Sequence, residues 1–214
     1  MKLLIFDTET TGLPVDRNKQ AIKEPNNWPH IVSISWVVLD ADTNKIESKN
    51  SFFVKPEKWT IPLEATKIHG ITHEIAMIKG SPLSEVMEQF SRESYDCLVA
   101  HNIQFDFNVL MNAYYWDLGM KVNDTLYKRK CTMLLSTDLC KLQGQWGYRW
   151  PKLSELYEFA FHRKPISTSL HSSLYDTLIL AEIVQHCDEL RHRMGLPVKL
   201  TIVTNGSRDK TLYL

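Results

Sequence analysis

No apolar run in the 214 residues approaches the length of a membrane span, and no signal peptide is expected ahead of the first structural element. Cysteine is sparse. Cys97, Cys131, Cys140 and Cys187 form no C-x-x-C pair, which argues against a zinc ribbon and against a dense disulfide framework. Reduced thiols in a cytosol-like compartment are the simplest reading. No repeat, low-complexity stretch or linker divides the chain. Its length suits one domain, and its 43% hydrophobic and 23% charged residues exclude wholesale disorder.

Net charge is also missing, because 25 Lys/Arg balance 25 Asp/Glu. The balance hides an asymmetry. Residues 1–120 carry 11 bases and 16 acids, whereas residues 121–214 carry 14 and 9. An acidic half suits cations and a basic half suits a polyanion, although a salt-balanced surface gives the same count.

Met1–Asp7 (MKLLIFD) is apolar at successive positions and reads as a strand buried on both faces. Thr10–Pro14 is turn chemistry, and residues 17–30 read as a polar loop. Ile31–Leu39 and Lys49–Val54 read as two further strands around a turn at Asn44–Lys45. Helical patterns follow at 63–69, 72–78, 81–92, 105–118, 152–161 and 174–190, the third opened by a Ser81-Pro82 cap. Cys97–Ala100 is a short strand, and Cys131–Leu139 suits either strand or helix. Two β-type runs flank Asn205-Gly206 in the tail, a hairpin signal. The expected class is α/β, with one central mixed sheet flanked by helices.

Three features carry chemistry. Asp7 and Glu9 stand at i and i+2 at the end of the first strand, so they project to one face. Adjacent carboxylates repel, and a hard divalent cation is the strongest reason to keep them together. Solvation of a strand end is the bland alternative. Asp106 falls in the first turn of a helix that follows the Cys97–Ala100 strand. The helix dipole alone favours an acid there, and Asn102 reads equally as that helix's cap. Asp176 lies beside the expected buried side of its helix, marked by Leu174, Leu178 and Ala181, and an acid there needs a partner. His171, five residues earlier, is about 140° away around a helix and is better placed in the preceding loop.

D-x-E, N-x-x-x-D and H-x-x-x-x-D, in this order, resemble the DEDDh or DnaQ-like family of 3′→5′ exonucleases. T-T-G-L at 10–13, H-G-I-T at 69–72 and W-P-K-L at 150–153 resemble it too. Ser173 stands where many relatives have alanine. The likeness spans roughly residues 1–190, read as one exonuclease domain, and leaves 191–214 as a tail. It implies an RNase H-like fold and hydrolysis of phosphodiester bonds with two Mg²⁺ or Mn²⁺ ions. It implies metal ligation by Asp7, Glu9, Asp106 and Asp176, with His171 as general base. It also implies substrate contacts at Thr10, Leu13, His69, Thr72, Asn102 and Phe105, with Leu13 wedged against terminal bases. For Phe105, core packing is the competing reading.

The implied product is a nucleoside 5′-monophosphate, cut from single-stranded or frayed DNA ends. Proofreading beside a DNA polymerase, or repair, are the implied roles, in the cytoplasm or at the nucleoid. Trimming of RNA ends is one alternative. A catalytically silent module binding nucleic-acid ends or a polymerase is another, opposed by the five intact signature residues. Trp146, Tyr148, Arg149 and Trp150 interleave aromatics with a cation, as strand-binding surfaces do, or anchor a loop by burial. Lys128–Lys130 suits phosphate or solvent. His30, His162, His186 and His192 read as structural or surface residues.

Overall fold

The computed structural model describes residues 1–123, 127–166, 172–202 and 210–213, with 199–202 and 210–213 described as backbone alone. β1 (Lys2–Thr10) is followed by a short 3₁₀ turn at Ala21–Lys23, then β2 (Ile31–Asp40) and β3 (Lys45–Phe53). Next come α1 (Leu63–His69), α2 (His73–Lys79) and α3 (Leu83–Arg92). β4 (Cys97–Ala100) leads into α4 (Ile103–Asn112), which runs on as a π-helical turn at Ala113–Asp117. β5 (Arg129–Cys131), α5 (Thr132–Cys140) and the small hairpin β6 (Gln143–Gly144) and β7 (Gly147–Tyr148) follow. α6 (Leu153–Phe161), α7 (Ser173–His186) and α8 (Asp188–Arg193) precede β8 (Lys199–Ile202) and β9 (Lys210–Tyr213).

The main sheet has the order β3-β2-β1-β4-β5. β3, β2 and β1 pair antiparallel, and β1, β4 and β5 pair parallel, so the sheet is mixed as expected. Helices cover both faces. Leu4, Phe6, Ile34 and Trp36 pack beneath α3 and α4, against Val86, Phe90 and Leu110. Leu3, Ile5, Val37 and Leu39 pack beneath α6 and α7, against Leu156, Leu180 and Val184. This sandwiching is why β1 and β2 read as continuous apolar runs rather than alternating ones. Fully burying each such side chain stabilises the fold by roughly 1.5–3 kcal/mol.

Several elements depart from the sequence reading. β1 continues to Thr10, so Asp7 and Glu9 lie inside the strand, and the turn starts at Thr11. Ser81 caps nothing. Its backbone bridges Val54, and Pro82 takes the cap position of α3. The ambiguous 131–139 segment is helix behind a three-residue strand. The long last helix breaks at Cys187, whose φ of −91° and ψ of 97° are extended. The buried side of α7 runs through Ser173, Thr177, Leu180 and Val184 rather than Leu174 and Leu178. β8 and β9 pair antiparallel, while Asn205 and Gly206 between them lie outside the described residues.

Candidate active site

Alternation along β1 sorts the site. Leu4 and Phe6 point toward α4, and Leu3 and Ile5 toward α7. Continuing the period of two puts Thr8 on the α4 side, and Asp7 and Glu9 on the α7 side. There Asp176, in the first turn of α7, meets them. Carboxylate oxygens of Asp7, Glu9 and Asp176 all lie within 4.8 Å of one another, each side chain partly exposed. The β1–β2 register skips Val32 between the pairs Glu9/Ser33 and Thr10/Ile31. Such a bulge re-aims side chains at the end of a strand.

Asp106 arrives from the other face. β4 pairs only with Leu3–Ile5 of β1, and α4 begins three residues after β4 ends. The far half of β1 therefore keeps an open edge. In that gap the Thr8 backbone N–H and hydroxyl donate to one carboxylate oxygen of Asp106, at 3.1 and 2.8 Å. Asp106 does not join the close three-carboxylate group, but its charge reaches the members.

Burial pushes the Asp7 carboxyl well above the usual range, and the charges of Asp106, Asp176 and Glu9 add to it. Glu9 is raised to about 8, by burial first and then by Asp176 and Asp106. Asp106 is raised to about 7 by burial, with the Thr8 hydrogen bonds working against the shift. These acids share a space that penalises their charge. The donor set is oxygen only, with neither thiolate nor imidazole among Asp7, Glu9, Asp106 and Asp176. It fits a hard divalent cation such as Mg²⁺ or Mn²⁺. His171 lies outside the described residues.

Four of the six proposed substrate residues line two depressions, and Thr10 and Thr72 line neither. Leu13, Asn102 and Phe105 line a groove of about 810 Å³. Leu13 is 68% exposed. Phe105 is half-buried and packs on Trp28 with ring centroids 5.9 Å apart, so it serves core and groove together. Asn102 holds the N-cap position of α4 at φ 76°, without a side-chain cap bond. His69 lines a second depression, with Ser33, Ser173 and Lys79. Burial lowers its pKa, and the neighbouring Thr10 backbone opposes the shift. Gly70, at φ 75°, ends α1 directly after His69, and the Thr72 hydroxyl accepts from Ile75 N to start α2. H-G-I-T is thus a helix stop followed by a helix start. The Thr10 hydroxyl donates to the Gly12 carbonyl at 2.7 Å and holds the turn that carries Leu13.

Other sequence candidates have local roles. Arg129 lies over the Phe107 ring at 4.0 Å, inside the Lys128–Lys130 run. His30 bonds Asp117 and stacks on Trp59 at 5.2 Å. His162 ends α6 at φ 53°, His186 ends α7, and His192 is exposed. Missed by the sequence reading is a cluster of hydroxyls behind the carboxylates. Ser173 Oγ lies 2.8 Å from both Ser33 Oγ and Ser35 Oγ, and Thr177 donates to the Ser35 carbonyl at 3.1 Å. It ties the first turn of α7, and so Asp176, to β2. The only hint in the sequence was serine at 173 in place of alanine.

Comparison with known proteins identifies the family and the fold. The Exonuclease family (RNase_T) matches residues 4–184. DNA polymerase III subunit epsilon of Rickettsia prowazekii is 32% identical over 187 residues, covering 86% of this chain and 72% of that protein. The PolC-type DNA polymerase III of Listeria innocua is 36% identical over 114 residues, 51% of this chain but 7% of its own. Among solved structures, Exonuclease X in complex with 5′ overhanging duplex DNA superposes with a TM-score of 0.59 at 24% identity, covering 90% of this chain and 93% of that one. Cell-death related nuclease 4 gives 0.65 at 18% identity, covering 95% and 72%. E. coli Exonuclease I with a dA16 oligonucleotide gives 0.64 at 14% identity, covering 91% and 41%. A five-stranded mixed sheet between helices, with acids gathered where β4 leaves β1 open, accompanies these matches. The chain belongs to the exonuclease family, DnaQ-like within the RNase H-like superfamily, and its domain is that of a nuclease.

Proposed function

We propose that this protein is a metal-dependent 3′→5′ exonuclease that releases nucleoside 5′-monophosphates from single-stranded or frayed DNA ends. The observation that carries the reading is the convergence of Asp7, Glu9 and Asp176 within 4.8 Å, with Asp106 in electrostatic reach. Asp7 would serve both of two Mg²⁺ or Mn²⁺ ions, Glu9 and Asp176 the water side, and Asp106 the leaving-group side. Bound there, such ions lower the pKa of a water and stabilise a departing 3′-oxygen. His171 takes the proton as the water oxygen attacks phosphorus. The P–O3′ bond breaks, and the 3′-oxygen leaves and is protonated. An imidazole with an unperturbed pKa of about 6.5 suits that task near neutral pH. Leu13, exposed at the turn after β1, meets the terminal bases and favours frayed ends.

DNA as substrate is supported by relatives named as polymerase III subunits and by structural neighbours that hold DNA. By the same relatives, a DNA polymerase is the proposed protein partner and proofreading the proposed role, in the cytoplasm or at the nucleoid. Among the described residues no helix is long and apolar enough to cross a membrane. The test is Mg²⁺-dependent release of mononucleotides from labelled single strands, with DNA and RNA side by side. The expected result is release from DNA that EDTA abolishes. Faster digestion of RNA would make the enzyme an exoribonuclease. No release from either, by a folded protein, would make it a silent binding module.

A further inference from the structure

The hairpin β6–β7 and the Trp150 that follows it carry the aromatics that the sequence offered either as a strand-binding surface or as a buried anchor. Trp146 is 92% exposed, Trp150 62% and Tyr148 46%. Burial therefore does not anchor this segment, yet its backbone is held. Arg149 grips Glu155 at the start of α6 with two bonds, at 2.8 and 2.6 Å, and its N–H donates to the Leu142 carbonyl at 2.9 Å. The Pro151 carbonyl accepts from His101 Nε2 at 2.9 Å, at the end of β4 and next to Asn102. A fixed backbone thus presents three aromatic side chains to water, against the usual tendency of such groups to bury.

Trp150 joins the platform to a groove whose lining includes chain neighbours of the site, while Trp146 stands outside that lining, between β6 and β7. Trp150 lines the same groove of about 810 Å³ as Leu13 and Phe105, together with Met133, Leu134 and Arg17. Leu13 is three residues from Thr10 at the end of β1, and Phe105 adjoins Asp106. A polymer whose end lies at the carboxylates and whose body follows this groove passes Trp150. The charge suits a polyanion, with Arg17 in the groove and Lys141 and Lys152 exposed at either foot of the hairpin. Aromatics interleaved with cations along a groove are how sequence-tolerant strand binding is built, because every base has a face to stack.

We propose that Trp150 and Trp146 form a stacking platform for the bases of single-stranded nucleic acid lying upstream of the 3′-terminal nucleotide. The platform rests on the exonuclease reading and adds to it. The enzyme needs a single-stranded stretch several nucleotides long, and these tryptophans set the length dependence.

The experiment measures binding of fluorescein-labelled oligothymidylates of about 20 and about 3 nucleotides, by anisotropy with Ca²⁺ replacing Mg²⁺. The wild-type chain is compared with W146A, W150A, the double variant, and the double Trp→Phe variant. In the double alanine variant the long strand should bind at least roughly 30-fold more weakly, from about 1–3 kcal/mol of stacking at each of two bases, with the short one changing far less. Phenylalanine should restore most of the loss. Unchanged binding of the long strand overturns the proposal and leaves the face to a protein partner. Equal weakening of long and short strands also overturns it, by moving the tryptophans to the terminal nucleotide. Should W150A fail to fold, W146A carries the same comparison from a side chain 92% exposed. Hydrolysis of the long strand in Mg²⁺ runs in parallel. Tryptophan-dependent binding without hydrolysis would sink the exonuclease reading and keep the platform, and hydrolysis with tryptophan-independent binding would do the reverse.

Discussion

Asp7, Glu9 and Asp106 are each less comfortable ionised in the folded chain than in water, a discomfort that the cations proposed for this site would relieve. Removing one should relieve repulsion while deleting a ligand. Asp7→Asn should therefore abolish Mg²⁺-dependent hydrolysis and leave the melting temperature at pH 8 unchanged or higher. Turnover near wild type would remove Asp7 from the mechanism. His171→Ala should lower kcat by roughly 10²–10⁴-fold with strand affinity little changed, the usual size of a general-base contribution. Rate against pH, compared between variant and wild type at saturating metal, is the check. An unchanged rate and profile would mean that the metal-bound water ionises without help from the imidazole.

At the scale of elements, the site depends on how α7 is seated. Its N-terminal turn is pinned by Ser173 to Ser33 and Ser35. At the far end, Arg191 donates to the carbonyls of Val184, Ala41 and Pro197, tying α7 to the β2–β3 connection and the following chain. Ser173→Ala should cost about 1–2 kcal/mol, because two buried hydroxyls lose a partner. A chemical denaturation midpoint reads this directly, and a shift of zero would mean that the hydroxyls re-pair. Neither anchor was legible in the sequence, since Ser173 stands 140 and 138 residues from its partners. The Thr8–Asp106 contact was hidden for the same reason, as it follows from where β4 stops. The carboxylate pair on β1 was legible because strand alternation is local. So was Asp106 in a first helical turn. Residues 131–139 stayed ambiguous because a three-residue strand runs straight into a helix.

At the scale of the whole molecule, proton binding and stability are linked. Glu9 and Asp106 have folded pKa values of about 8 and about 7, above those of an unfolded chain, and Asp7 is raised in the same direction. The folded metal-free protein then holds more protons than the unfolded one. The stability these protonated acids contribute is fully present below about pH 4 and is lost as pH rises through 7 to 8. Without metal, the melting temperature should fall from pH 5 to pH 8 and then level off. Mg²⁺ should raise it more at pH 8 than at pH 5.5, since ions replace protons at ionised carboxylates. Calorimetry at the two pH values tests both signs, and a larger Mg²⁺ effect at pH 5.5 would contradict them.

Above all, the carboxylate cluster should remove nucleotides from a 3′ end. A single-stranded DNA labelled at its 5′ end, incubated with the protein and Mg²⁺, reads it most directly. The expected result is a ladder that shortens one nucleotide at a time, absent with Asp7→Asn and absent with EDTA. Immediate release of a labelled mononucleotide, or cutting of a covalently closed circle, would contradict it.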